Sequence, residues 1–138
     1  MREILFRGKR VDDNEWMYGS LIIDCKLRDK SKEIPYIRER GMNEATSYYY
    51  GGAGLEVNPD TLGQFTSVYD KNGNKVFTGD IIDYNGEKII VHFMCCHYSA
   101  YDLKGTYYQL PLITAGGGVV IGNIYDNPEL LEGDDAKD

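Results

Sequence analysis

Apolar positions along this chain fall in short runs broken by glycine, proline and asparagine, and almost nowhere at helical spacing. Ile4, Leu5 and Phe6 begin a first strand, residues 9–15 are a polar turn, and residues 16–23 read as its antiparallel partner. Residues 34–38 are extended, because Pro35 lacks a ladder donor and biases the residue before it toward β. Residues 26–33 are a solvated charged loop, Tyr48-Tyr49-Tyr50 is a further strand candidate, and Gly51-Gly52-Ala53-Gly54 is a flexible joint.

Residues 57–83 carry the densest start-and-stop chemistry. Asn58-Pro59 places a good N-cap before a proline at the first helical position, which predicts one turn of helix. Asp70-Lys71-Asn72-Gly73-Asn74 separates strand-like runs at 65–69 and 75–78, with Asn-Gly supplying the positive φ of a tight hairpin. Gly79-Asp80 breaks the run and Ile81-Ile82-Asp83-Tyr84 restarts it. A second Asn-Gly, at 85–86, links that strand to residues 88–94, where Ile89-Ile90-Val91 is apolar on both faces and so predicts a central strand. Residues 106–110 and 119–125 are the remaining strand candidates, and the stretch 110–125 reads as strand–loop–strand. Asn127-Pro128 repeats the earlier cap and predicts a closing helical turn, with Leu130 or Leu131 as a plug. Short strands at about ten-residue spacing with glycine corners predict a mainly β chain, a small barrel or sandwich. The expected organisation is an N-terminal β-hairpin and irregular section over 1–54, a β body over 55–132 and a disordered acidic tail at 133–138.

Size and composition leave that reading intact. At 138 residues the chain can bury a core without metal or disulfide support, which is needed mainly below about 40 residues. Net charge is −7, unevenly placed: residues 1–69 hold ten Lys/Arg against eleven Asp/Glu, and residues 70–138 hold five against eleven. Phosphate neutralisation by clustered cations is therefore poorly supported. Arg2, Arg7, Lys9 and Arg10 form a short basic cluster soon answered by Asp12, Asp13 and Glu15. Three cysteines, two of them adjacent, do not make a disulfide framework. No secretory leader is visible, and the longest uncharged stretch contains Pro111 and several glycines, so the expectation is a reducing, cytoplasmic setting with no membrane span.

Candidate chemistry is thin. His92, Cys95, Cys96 and His97 are metal-ligand types, but in a continuous strand His92, Met94 and Cys96 share one face and Phe93, Cys95 and His97 the other, so only His92 and Cys96 could converge, and Cys25 would have to arrive from elsewhere. Structural residues beside a strand end are the preferred reading, with no metal and no cofactor. A cysteine nucleophile with a histidine base lacks an orienting third group and an oxyanion device. Gly116-Gly117-Gly118 precedes a strand rather than the Gly-Lys-Ser/Thr and helix of a phosphate cradle, so it reads as a hairpin or loop. Asp80, Asp83, Glu87 and Asp126 are too scattered to pair as acid and base, and Asp80 reads as an acceptor for a turn backbone. Twelve tyrosines fit both good strand formers and an interface that uses large, rigid contact area.

The 57–83 stretch, with Pro-Asp-Thr-Leu-Gly-Gln-Phe-Thr and Asp-Lys-Asn-Gly-Asn-Lys-Val-Phe-Thr-Gly-Asp-Ile-Ile, resembles the YopX family of phage and prophage proteins. Val120-Ile121-Gly122-Asn123-Ile124-Tyr125-Asp126-Asn127-Pro128-Glu129-Leu130-Leu131 is similar to that family's C-terminal signature, and Arg2-Glu3-Ile4-Leu5-Phe6-Arg7 with Tyr18-Gly19 to its opening. The resemblance implies a phage- or prophage-encoded intracellular protein with a small SH3-like barrel in its C-terminal part, and it carries over no catalytic residue. The matching positions are turns, caps and core, which describe a shared scaffold.

The resulting expectation is a non-enzymatic protein–protein interaction module acting in a bacterial host, with a homo-oligomer plausible. A nucleic-acid-associated small barrel would need Arg2, Arg7, Lys9, Arg10, Arg38 and Arg40 to converge beside aromatic rings. An acidic DNA mimic would need carboxylates spaced like phosphates on one surface.

Overall fold

The computed structural model describes residues 3–25, 33–39, 54–94 and 97–132. Among them 54% lie in strands, so the chain is mainly β as expected. It divides into two units, Met1–Gln64 and Phe65–Asp138.

In the first unit, β1 (Phe6–Lys9) and β2 (Trp16–Cys25) form the predicted hairpin, with Phe6 opposite Gly19 and Lys9 opposite Trp16. β3 (Glu33–Arg38) pairs with the far half of β2, and β4 (Leu55–Glu56) adds outside β3. The strand order is β4-β3-β2-β1, with Gly63 and Gln64 beside β1. Residues 55–64 therefore belong with the N-terminal strands, not with the C-terminal body in which the sequence placed them. Val57 is fully buried and packs with Met17, Ile37 and Leu55, which fixes this segment to the first core. Of the expected glycine joint, only Gly54 is described, and it is closely packed: at φ +111°, a Cβ on it would lie 2.7 Å from the carbonyl carbon of Ile37. Tyr48, Tyr49 and Tyr50 lie outside the described residues, as do Arg2, Arg40 and the tail at 133–138. Asn58 caps a 3-10 turn (Pro59–Thr61) as predicted, its side chain accepting from the Asp60 N–H at 3.0 Å. Thr61 is buried at the end of this turn and its hydroxyl accepts from the Lys9 N–H at 2.9 Å, which ties the turn to β1.

In the second unit, β5 (Gly63–Tyr69), which crosses the unit boundary, pairs with β6 (Lys75–Phe77) across the predicted 70–74 turn. Its register is irregular, and Ser67 sits in the left-handed region at φ 71° within it. The turn is not a two-residue Asn-Gly hairpin, since Gly73 has a positive φ and Asn72 does not. Buried Asp70 organises it instead, accepting from the Asn72 and Asn74 N–H groups at 2.9 and 2.8 Å and from the Val120 N–H at 2.9 Å. The second Asn-Gly does form the predicted tight turn, with Asn85 at φ 53° and Gly86 at φ 85°. It joins β7 (Asp80–Tyr84) to β8 (Glu87–Met94).

β9 (His97–Asp102), β10 (Tyr107–Tyr108) and β11 (Val119–Asn123) complete a five-stranded antiparallel sheet in the order β10-β9-β8-β7-β11. β8 is central as predicted. The sheet's two ends, β10 and β11, do not pair with each other, and no closed barrel forms among the described residues, so the expected SH3-like barrel is not what is seen. Ile82, Ile89, Val91 and Ala100 from one face pack with Val76, Leu110 and Ile113 in the larger core. Each aliphatic side chain buried there contributes roughly 1.5–3 kcal/mol relative to exposure.

Helical segments account for two further departures from expectation. Residues 110–115 form α1 (Leu110–Ala115), with Pro111 in its first turn and Leu110 and Ile113 buried one helical turn apart, in place of the expected strand and loop. Gly116-Gly117-Gly118 is then the helix stop, not a hairpin: the Gly116 N–H bonds to the Leu112 carbonyl, Gly117 takes φ +103°, and the Gly118 N–H returns to the Ile113 carbonyl at 2.9 Å. The closing turn α2 (Glu129–Glu132) forms after Asn127-Pro128, but Leu130 and Leu131 are only half-buried and plug nothing.

Candidate functional site

Among the described residues, the His and carboxylate side chains singled out by sequence are not arranged as a metal site. Cys95 and Cys96 lie outside the described residues, as do the side chains of Cys25 and His97. β8 ends at Met94 and β9 begins at His97, which sit opposite each other in register. His92 faces Ser99 in register, and its ring lies 5.9 Å from that of Tyr101. Among the described residues no group of three or more His, Cys, Asp and Glu is arranged to hold a metal ion.

Several carboxylates serve local structure. Asp80 is 2% exposed and accepts from the Phe77 N–H at 2.7 Å, the turn role predicted for it. Asp126 accepts from the Asn123 side-chain amide at 3.2 Å, and Asn123 in turn accepts from the Tyr125 and Asp126 N–H groups. Asp83 sits in register opposite Lys88 on β8 and Val119 on β11, and Glu87 opposite Tyr84. Burial opposes ionisation of Asp70, but its bonds from Val120, Asn74 and Asn72 outweigh that and hold its pKa below the ordinary value.

The basic residues are likewise engaged. Arg7 is buried with its guanidinium 4.8 Å from the Trp16 ring centre, and the Lys9 ammonium lies 5.4 Å from the same ring. Arg10 forks onto Asp13 and lies 3.6 Å from Asp12. Arg7, Lys9 and Arg10 thus gather around one indole and one acidic turn, while Arg38 lies on β3 opposite Ser20.

What the structure does bring together is a tyrosine cleft in the second unit. Tyr84, Tyr107, Tyr108, Gln109, Leu112 and Ile113 line an open hollow of about 400 Å³ where the end of β7, the edge strand β10 and α1 converge. The rings of Tyr84 and Tyr108 stand at 78° with centres 6.3 Å apart, so two walls meet as a corner. Ile113, 2% exposed, forms the floor, while Leu112 is 65% and Tyr107 45% exposed. Tyr84 rests against Gly116, where a Cβ would come within 3.0 Å of its ring, so the helix stop sets the position of this wall. The Tyr108 hydroxyl donates to Asp102 at 3.2 Å, and the same carboxylate accepts from the Lys104 and Thr106 N–H groups. Those bonds, the Thr106 backbone bond foremost, keep Asp102 below its ordinary pKa. Burial, the bond to Asp102 and the charges of Asp102 and Glu87 push the Tyr108 phenol upward. β10 has a strand neighbour on one side only among the described residues, so the cleft borders a sheet edge. The sequence offers tyrosine number but not this grouping; the i, i+3 spacing of Leu110 and Ile113 behind Pro111 is the signal that a helix closes the hollow.

Comparison with known proteins agrees with the fold. A protein-family model described as YopX protein matches residues 5–132. The crystal structure of protein EF1440 from Enterococcus faecalis is similar at 22% identity and a TM-score of 0.57, covering 95% of this chain and 99% of that one. At that identity the likeness speaks for the fold alone. No curated protein matches the chain.

Proposed function

This chain belongs to the YopX family, and from that premise we propose that it is a protein-interaction module rather than an enzyme, engaging its partner at the tyrosine cleft and the adjoining β10 edge. The observation that carries the reading is the cleft itself: a floor of buried Ile113, tyrosine walls, and Leu112 standing 65% exposed at its lip beside a strand with one neighbour. Interfaces favour tyrosine, and an extended segment can add to an exposed strand while alternate side chains fill pockets. The engagement of Asp70, Asp80, Asp102 and Asp126 in turns and caps supports a binding role over acid–base chemistry. On the family resemblance we place the protein in the cytoplasm of a bacterium carrying a phage or prophage, with a second copy of the chain among the candidate partners.

A photo-activated cross-linking residue at position 112, expressed in such a host, tests the reading against the same residue at position 11, where Val11 is 55% exposed in the first unit. A defined adduct at 112 that is absent at 11 and lost on Tyr107→Ala is expected, and its mass separates a second copy from another protein. No adduct at 112, or the same adducts at both positions, removes the proposal.

A further inference from the structure

We propose that the tyrosine cleft takes a cationic side chain, an arginine or lysine, from an extended segment of the partner protein laid along β10. The inference rests on the docking role argued above and specifies its chemistry. Three tyrosine rings line one hollow of about 400 Å³, and two of them meet at 78°. Aromatic faces carry a negative quadrupole and attract cations, and several rings around one hollow are the arrangement that selects organic cations over neutral groups of the same shape.

Charge around the hollow has the matching sign. Asp102 is bonded to the Tyr108 hydroxyl, and Glu87 lies opposite Tyr84 in register, its charge felt at Tyr108. Lys104, in the turn held by Asp102, is exposed. Residues 65–138 carry five Lys/Arg against eleven Asp/Glu, so the long-range field of this unit also draws positive charge. The apolar floor at Ile113 and the lip at Leu112 suit the methylene stem of a long cationic side chain, whose charged head then lies against the tyrosine rings that line the hollow. A segment paired along β10 would present alternate side chains to the hollow at the two-residue period of a strand.

The test uses the full chain with tyrosine rings isotopically labelled. Two capped pentapeptides serve as probes, Val-Thr-Arg-Thr-Val and the same peptide with neutral citrulline for arginine. Ring-resonance titration should show the arginine peptide moving Tyr84, Tyr107 and Tyr108 and binding about tenfold tighter than its citrulline counterpart. Tyr107→Leu, at a half-exposed position whose loss leaves the core intact, should cut that ratio about threefold, and Glu87→Gln about twofold. Tyr108→Phe should preserve the preference, because the ring face remains when the hydroxyl goes. Equal affinity for the two peptides, an arginine preference unchanged by Tyr107→Leu, or shifts mapping away from these tyrosines would each overturn the inference. If the adduct at position 112 forms while the peptides bind equally, docking stands and the cation specificity falls; if it does not form, docking itself falls.

Discussion

The two units solve the same problem with different uses of surface. The first gathers four fully or nearly buried side chains, Met17, Ile37, Leu55 and Val57, and brings backbone against backbone through glycine. A Cβ on Gly19 would lie 2.8 Å from the Arg38 carbonyl carbon, and one on Gly8 only 3.0 Å from Val57. The second gathers seven in its larger core cluster, over a sheet and a short helix, and fixes its turns through Asp70, Asp80, Asp102 and Asn123. It also leaves tyrosine and leucine uncovered at one edge. Both units leave aromatic surface uncovered, Tyr18 at 43% in the first and Tyr107 at 45% in the second. Close backbone packing marks the first, while in the second the exposed tyrosine and leucine border one described cleft, where binding can be accommodated.

Truncations in the larger core test the first half of that contrast most severely. Ile89→Ala removes a fully buried side chain that packs under β7 and β9, and should destabilise the second unit by about 2–5 kcal/mol in urea unfolding followed by tyrosine near-ultraviolet dichroism. In the first unit the corresponding weak point is backbone. Gly54→Ala places a methyl group against the Ile37 carbonyl at φ +111° and should cost on the order of 3 kcal/mol, read from the fluorescence transition of Trp16, the chain's one tryptophan. Gly73→Ala, at φ +84° with open space around it, isolates the conformational part and should cost about 1 kcal/mol. If Gly73→Ala costs as much as Gly54→Ala, close approach is not what the first unit depends on.

Where signals are local, the sequence is legible. Asn58-Pro59, Asn85-Gly86 and Asn127-Pro128 each produce the turn or cap their chemistry demands, and Ile89-Ile90-Val91 identifies the central strand. β9 escapes a local reading because His97-Tyr98-Ser99-Ala100-Tyr101-Asp102 follows β8 without a glycine or asparagine turn, and its inward residues are a tyrosine and a small alanine. α1 escapes it because its one i, i+3 pair, Leu110 and Ile113, is a single repeat in six residues, and the glycines that stop the helix look like a hairpin. The unit boundary is displaced because glycine at 51–54 suggests a break, whereas pairing of Leu55 with Ile37 is a long-range fact that no local window contains. The cleft inherits each of these: it needs β10, the helix and the register of β7 together, so tyrosine content alone points at it without locating it.

A smaller effect separates the two ways of making turns. Asp70 has a folded pKa below its ordinary 3.8, so the unfolded chain binds more protons than the folded one as pH falls through that region. Its stabilisation is fully present above the unfolded value and is lost as pH drops through the folded one, so stability rises with pH below about pH 4. Asp70→Asn keeps one acceptor but sets an amide against the donors of Val120 or Asn74, and should cost about 1–2 kcal/mol at pH 7 with a shallower fall toward pH 3. Urea midpoints at the two pH values measure both, and a variant that tracks the parent in parallel would show that the carboxylate is not what holds β11 to the turn.

The smallest expected effect on stability is the most informative about function. Tyr107→Ser and Leu112→Ser change side chains that are 45% and 65% exposed, and each should shift stability by no more than about 0.5 kcal/mol. Surface that folding does not need can be held in place by what it binds, so these changes should leave the urea midpoint where it was and abolish the adduct formed from a cross-linker at Gln109, on the same cleft. The ring contact between Tyr107 and Tyr101, with centres 5.5 Å apart, offers the competing account that Tyr107 braces β10 onto β9. Under that account Tyr107→Ser would lower stability by about 1 kcal/mol or more and Leu112→Ser would not, roughly the cost of an aromatic cross-strand pair. Equal, near-zero shifts in both variants together with loss of the adduct assign the uncovered edge to binding.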